Sequence, residues 1–332
     1  MCTLSSSVHC TKHLDHDPAS LILPEQQPPR AEFQVTPLDP LEAAFRHSGW
    51  SVRRRLVWDA LRRTHQSPNR LDRFAQCGSA CVVEWSKTLQ TARLRANFCR
   101  DRLCVPCGRA RSRQVANALI KESTGRTVRF ATFTLRHSRT PLRDQIDRLY
   151  RSFSALRRRA WFKSNTAGGV AVLETKIGID GLWHVHLHTL LVGQYLDQKT
   201  LSEEWHAVTG DSYIVDVRRI DGDHGAIKYV AAYVGKPMDA TVTQHAEALD
   251  EFVIAIRGRR VVNTWGCWSR LDLDPDTSET ATDWLPVASL RQLINDARGG
   301  DRFAQAMLLS LSSERDRNAG KHPSPTLWDD SA

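Results

Sequence analysis

No apolar run among the 332 residues approaches the roughly 20 needed to cross a bilayer as a helix. The N-terminal stretch also lacks the apolar core of a secretory signal, and these two absences predict a cytoplasmic protein. No internal repeat is present, which excludes solenoids and propellers. Acidic residues are scarce between 51 and 163, with 7 against 27 basic ones, a local net charge of +20 within a chain whose total is +9. The remainder is therefore acidic, and the basic region carries a field suited to a phosphate backbone, whose counterions Arg and Lys release. In a reducing compartment the eight cysteines are not expected to form a disulfide framework, so clustered ones read as metal ligands.

What is present is ordinary globular material, 41% hydrophobic and 8% aromatic, enough for a sizeable core. Residues 1–40 mix Pro, Ser, Gln and His without periodicity and are expected to be a disordered tail. The tail's Cys2, His9, Cys10, His13 and His16 read as incidental. Residues 41–123 form a basic module: one or two amphipathic helices over 41–64, a cysteine segment over 77–107, then an Arg-rich helix over 109–121. Its Arg109, Arg111 and Arg113 are candidate DNA-binding residues. From 124 to 270 the pattern reads strand (128–135), helix (to about 161), two strands flanking Ile179-Asp180-Gly181, helix (201–208), strand (213–220), helix (223–235), helix (240–256) and strand (259–264). Strands joined by both a hairpin and helical crossovers predict an α+β domain with helices on a largely antiparallel sheet. Residues 271–332 read as a C-terminal extension with two short helices between 287 and 311.

In Trp183-His184-Val185-His186-Leu187-His188 the period of two sets His184, His186 and His188 on one face of a strand. Imidazoles so spaced can converge on one divalent cation, and a cation acting on phosphate needs only two or three protein ligands. His186 and His188 are the firm pair, and Glu174 and His184 compete for third place. The hairpin decides: a two-residue turn at Asp180-Gly181 turns Glu174 away, whereas an odd-length loop brings it opposite His188 on the histidine face.

In Ile227-Lys228-Tyr229-Val230-Ala231-Ala232-Tyr233-Val234-Gly235-Lys236 the tyrosines are four apart, hence neighbours on one helical face, with Lys236 three further on. A tyrosine hydroxyl is a weak nucleophile at its ordinary pKa of about 10. A metal that polarises a phosphate, and a lysine that offsets charge, make its attack feasible.

The order Phe133-Thr134-Leu135, His186-Leu187-His188, then Lys228 to Lys236 resembles the three motifs of plasmid rolling-circle replication initiators, the Rep family of HUH endonucleases. The segment from Asn97 to Cys107 is similar to that family's cysteine motif, and Arg259 to Gly266 to a segment that follows. The resemblance covers roughly residues 77–270. It implies a nickase with an HUH domain that binds a double-strand origin and cuts one strand with Mg²⁺ or Mn²⁺. The 5′ end stays on Tyr233 as a phosphotyrosine, and a 3′ hydroxyl is left for host polymerase and helicase. Origin DNA would be single-stranded at the nick and duplex at the binding site. Some plasmid members carry Glu where this chain has Tyr229, and the departure resembles two-tyrosine initiators and transposases. Transposition is therefore an alternative, and a non-catalytic zinc-containing DNA-binding regulator is another.

Cys77, Cys81, Cys99, Cys104 and Cys107 offer five thiols where a structural Zn²⁺ takes four. The sequence favours Cys77 or Cys81, or both, with Cys104 and Cys107, and leaves Cys99 as a further candidate for the set of four. Such a module would orient the flanking basic helices on duplex DNA. Cys267 stands alone and is expected to be a small core residue.

Overall fold

The computed structural model describes residues 40–47, 51–220, 225–235, 238, 240–273 and 283–319. The tail's cysteines and histidines lie outside them. Two helices open the described chain, α1 (Pro40–His47) and α2 (Ser51–Leu61), as the amphipathic spacing predicts. Helix α3 (Pro68–Ala75) starts at Ser67, whose hydroxyl accepts the Arg70 N–H, with Pro68 in the first turn, where a missing N–H costs nothing. A hairpin follows, β1 (Cys81–Ser86) and β2 (Thr91–Ala96), and then α4 (Val105–Ser123). Helix α4 begins four residues before the Arg-rich stretch because Cys104 caps it and Pro106 fits its first turn.

The next elements are β3 (Val128–Thr134), α5 (Leu142–Leu156), α6 (Ala160–Asn165), β4 (Thr166–Ile177), β5 (Trp183–Gly193) and α7 (Gln198–Thr209). They continue with β6 (Val215–Arg219), α8 (Gly225–Gly235), a 3-10 helix (Ala240–Gln244), α9 (Ala246–Ile256) and β7 (Val262–Gly266). Helix α7 is delimited by local chemistry. The Asp197 carboxylate accepts the Thr200 N–H at 2.9 Å, and Gly210 ends the helix at φ 81°, a left-handed value that glycine adopts without strain.

Strands β6-β3-β5-β4-β7 form a five-stranded antiparallel sheet in that order, with β5 at its centre. On one face, Val185 and Leu187 are buried in one continuous core with Ile146, Leu149, Phe153 and Leu156 of α5. Phe133 lies between Phe153 and Trp205 of α7, at ring-centroid distances of 5.2 and 5.1 Å. Each such buried side chain stabilises the fold by about 1.5–3 kcal/mol. The other face, which carries the histidines, is covered by α8, and α4 packs across α8 in turn. The sheet is thus fixed from below by α5 and its neighbours, while its upper face is roofed by one helix.

The C-terminal segment differs from the sequence expectation. Besides helices α10 (Leu290–Arg298) and α11 (Arg302–Ala319) it contains a strand, β8 (Trp284–Ser289). This strand pairs antiparallel with β1 to complete a three-stranded sheet ordered β2-β1-β8. Pro286 lies opposite Glu84 next to a register shift, and a proline without an N–H is tolerated there because β8 is an edge strand. Val83, Ala92, Leu290, Leu293, Ile294 and Met307 share the core beneath this sheet.

Candidate active site

Register decides what the hairpin brings together. Between β4 and β5 lies a five-residue connection, 178–182, closed by Gly178 N–H to Leu182 O and Gly181 N–H to Gly178 O, each 2.9 Å. The loop is odd and Glu174 stands on the histidine face, but opposite His186 rather than the expected His188, with Lys176 opposite His184, because the turn is centred on Asp180. Its Oε2 lies 2.8 Å from His188 Nε2, both side chains buried, and Lys176 Nζ lies 3.4 Å from its Oε1. Burial alone would raise the Glu174 pKa. The hydrogen bond and charge of His188, with Lys176 and His186, outweigh it and keep the carboxyl below its ordinary range.

Strand β3 supplies the second support. Thr132 pairs with His188 and Thr134 with His186 in the ladder, and each threonine Oγ1 meets its partner's Nδ1, at 3.1 and 3.0 Å. Both rings therefore have Nδ1 engaged and are oriented through it, with the Nε2 of His188 turned to Glu174. Burial lowers the His186 pKa to about 4, so that ring is neutral at pH 7, the form a cation needs. Glu174, His186 and His188 bring to one face the donor types that a divalent cation takes, but among the described residues the groups whose ligand atoms converge within 4.8 Å are the four cysteines and His137, Asp180 and His184. His184 also lies on this face but turns to a different set of partners, His137 and Asp180.

Helix α8 lays both tyrosines over this group. The Tyr233 ring stacks on that of His188 with centroids 4.0 Å apart and 13° between planes, and its hydroxyl donates to Tyr229 Oη at 2.5 Å. Tyr229 meets His188 edge-on at 6.0 Å and Phe130 edge-on at 5.7 Å. Tyr233 is 8% exposed and Tyr229 39%. Burial, the Glu174 charge and Tyr229 all push the Tyr233 hydroxyl well above its ordinary pKa. Lys236 lies outside the described residues.

Four of the five clustered cysteines converge. The Sγ atoms of Cys77 and Cys107, Cys99 and Cys107, and Cys104 and Cys77 are 3.6, 3.7 and 3.7 Å apart, and the four form one group able to hold a metal. A tetrahedral ion with Zn–S of about 2.3 Å requires S···S near ~3.8 Å, so the thiols fit zinc. The Cys99 N–H points to Cys77 Sγ and the Asp101 N–H to Cys99 Sγ, donors suited to thiolates. Hydrogen bonds from the Cys104 thiol hold Cys77 far below the ordinary thiol range. Cys81 is not among the four. It points into the core of the three-stranded sheet, where burial raises its pKa to about 11 and keeps it a neutral thiol. Cys267 is exposed in the turn after β7 rather than in the core, because its backbone caps the sheet edge by donating to Ala167 O.

A profile of the family described as Replication protein matches residues 90–298, more than half of the chain. The chain belongs to the replication protein family. Among curated relatives, a Protein rep from Staphylococcus aureus is 27% identical over 214 residues, 58% of this chain and 93% of that protein. Another from Bacillus amyloliquefaciens is 29% identical over 171 residues, 46% of this chain and 50% of that one. A third, from a Bacillus species, is 31% identical over 144 residues, 38% and 47% respectively. The chain thus spans about half the length of two of these relatives. No solved structure gives a significant match.

The region that matches the replication protein family holds Glu174, His186, His188, both tyrosines and three of the four converging cysteines, whereas Cys77 precedes it. The three candidate arginines do not act as one set. Arg109 and Arg113 are four apart on α4, and burial, followed by the like charges of Arg53 and Arg113, lowers the Arg109 pKa. Arg111 is turned aside, its Nη1 donating to Leu273 O at 2.7 Å. Thr132 and Thr134 were not singled out as site residues by the sequence. Their signal was the alternation of β3 in register with the histidines.

Proposed function

We propose that this member of the replication protein family is a plasmid rolling-circle initiator that nicks one strand at its origin through Tyr233. The observation that supports it most is the Tyr233 ring stacked on His188, its hydroxyl bonded to Tyr229 above a buried Glu174–His188 pair. Glu174, His186 and His188 would hold Mg²⁺ or Mn²⁺, which when bound polarises the scissile phosphate and stabilises the charge that develops on it. Tyr233 Oη attacks phosphorus and gives up its proton. The bond to the 3′ oxygen breaks, that oxygen takes up a proton, and the 5′ phosphate stays on Tyr233. Stacking on His188 fixes the nucleophile before substrate arrives, which removes orientational cost from the step. Tyr229, more exposed and hydrogen-bonded to the first tyrosine, is suited to cleave the regenerated origin in a second transfer; the 3′ hydroxyl which that cleavage releases then attacks the phosphotyrosine, displaces Tyr233 and rejoins the strand.

The four-cysteine group would hold a structural Zn²⁺. Arg109 and Arg113 of α4 with Arg53 of α2 would track the phosphates of duplex origin DNA, and the 3′ end would pass to the host's helicase and polymerase in the cytoplasm. The test incubates the protein with labelled single-stranded origin DNA and Mn²⁺ and looks for a covalent band on a denaturing gel. A band in the wild type that is absent from Tyr233→Phe and His186→Ala is the expected result. Binding without a covalent band in any metal would move the reading to a zinc-containing DNA-binding regulator.

A further inference from the structure

Apart from the pair His186 and His188, a third histidine of β5 belongs to a constellation of its own. His184 Nε2 lies 3.6 Å from one Asp180 carboxylate oxygen, and His137 Nε2 lies 3.3 Å from the other. The two imidazoles stack at 4.4 Å, and one atom from each of the three side chains falls within 4.8 Å of the others. His137 follows β3, Asp180 occupies the β4–β5 loop and His184 opens β5, so three separate segments converge.

Two further observations point to a ligand. His184 Nε2 is itself shielded from solvent although its ring is only partly buried, and it makes no hydrogen bond among the described residues, the Asp180 oxygen at 3.6 Å being beyond hydrogen-bond reach. Gly178, at the start of the loop, leaves the room that the group uses: a Cβ there would sit 2.5 Å from His184 Nε2 and 2.6 Å from Asp180 Oδ1. Its φ is not a left-handed one, and both atoms are the far ends of side chains that can turn, so glycine gives the group room without being required there. The loop keeps that imidazole nitrogen and that carboxylate oxygen side by side.

We infer that His137, Asp180 and His184 form a second cation site, separate from the Glu174, His186 and His188 group, that takes a borderline divalent transition metal such as Zn²⁺. Two imidazoles and one carboxylate suit zinc and its neighbours better than Mg²⁺, which prefers an all-oxygen shell. Positions two apart on one strand face are ~7 Å apart, beyond the roughly 3.5–4 Å over which two ions share one phosphate. Lys176, opposite His184 and ion-paired with Glu174, stands between the groups. The second ion therefore clamps the β4–β5 loop to the end of β3, and its open positions face solvent, available to a DNA phosphate oxygen.

The experiment measures zinc per chain, by elemental mass spectrometry, in full-length protein equilibrated with micromolar Zn²⁺ and freed of excess. In a His186→Ala background, which takes the Glu174 group out of the count, His137→Ala and Asp180→Asn should each lose about one further equivalent. Asp180 and His137 are solvent-accessible, and unchanged circular dichroism in their variants shows that the loss is local. Equal zinc content in His186→Ala alone and in its folded combinations with His137→Ala and Asp180→Asn overturns the proposal. The readout needs no DNA, so it stands or falls independently of the nicking reaction.

Discussion

Tyr233 and His188 lie face to face, 4.0 Å between ring centroids, although they come from a helix and a strand 45 residues apart in sequence. The stack survives replacement of Tyr233 by Phe, which removes only the hydroxyl. Tyr233→Phe is therefore expected to fold and bind origin DNA like the wild type while losing covalent attachment entirely. Tyr229→Phe should keep the first cleavage within a few-fold and lose strand rejoining. Equal loss of cleavage by both variants in a single-turnover assay would refute that division.

Each histidine is aimed by a threonine of β3, through Oγ1 to Nδ1. Valine has nearly the shape of threonine but no hydroxyl. Thr132→Val and Thr134→Val should each weaken Mn²⁺ binding by about 10–100-fold, as removal of a ligand-orienting partner does, with little change in melting temperature. Nicking measured against Mn²⁺ concentration should recover at saturating metal. A loss that no Mn²⁺ concentration restores would show that the threonines do more than orient the rings.

The histidine strand and the tyrosine helix were legible because each repeats with its element's own period: two in β5, and four along α8. Glu174 was not assignable, since its face depends on whether the 178–182 connection is odd or even, and glycines at 178 and 181 allow either. The β1–β2 hairpin escaped for a related reason. Its turn reaches positive φ at Gln90 rather than at a glycine, so the usual punctuation is missing. Strand β8 joins it from about two hundred residues away and contains Pro286, which argues against a strand in isolation. Pairing over such a separation leaves no local signature. Nor did spacing choose among the cysteines, because Cys81, four residues after Cys77, has its side chain committed to a different core.

Helix α4 follows directly on Cys104, carries Cys107 in its first turn and packs on α8, where Ser112 Oγ donates to Ala232 O. Loss of an ion from the proposed four-cysteine site should therefore reach the tyrosines through α4. Cys104→Ser is expected to release zinc and abolish nicking even with excess Mn²⁺, whereas Cys81→Ser should retain zinc and lower stability only modestly. A metallochromic dye assay for released zinc, run beside the nicking assay, checks both. Zinc loss from Cys81→Ser equal to that from Cys104→Ser would show that the metal is held by a different set of thiols.

Acid should act on the metal-free site through His186. Its pKa is about 4 in the folded protein against 6.5 in an unfolded chain, so below pH 6.5 the unfolded state binds a proton that the folded state refuses. The folded state is therefore at full stability above pH 6.5 and loses it as pH falls toward 4, by on the order of 3 kcal/mol for a shift of this size. Glu174, held below its ordinary value, adds loss of the same sign at lower pH, when its carboxylate is finally protonated. Urea titrations of the chelator-treated protein at pH 7 and pH 5 should show this loss, and His186→Gln should flatten it, since glutamine has no proton to take up. A slope between pH 7 and pH 5 that is identical in the wild type and His186→Gln would mean that the buried imidazole is not the titrating group.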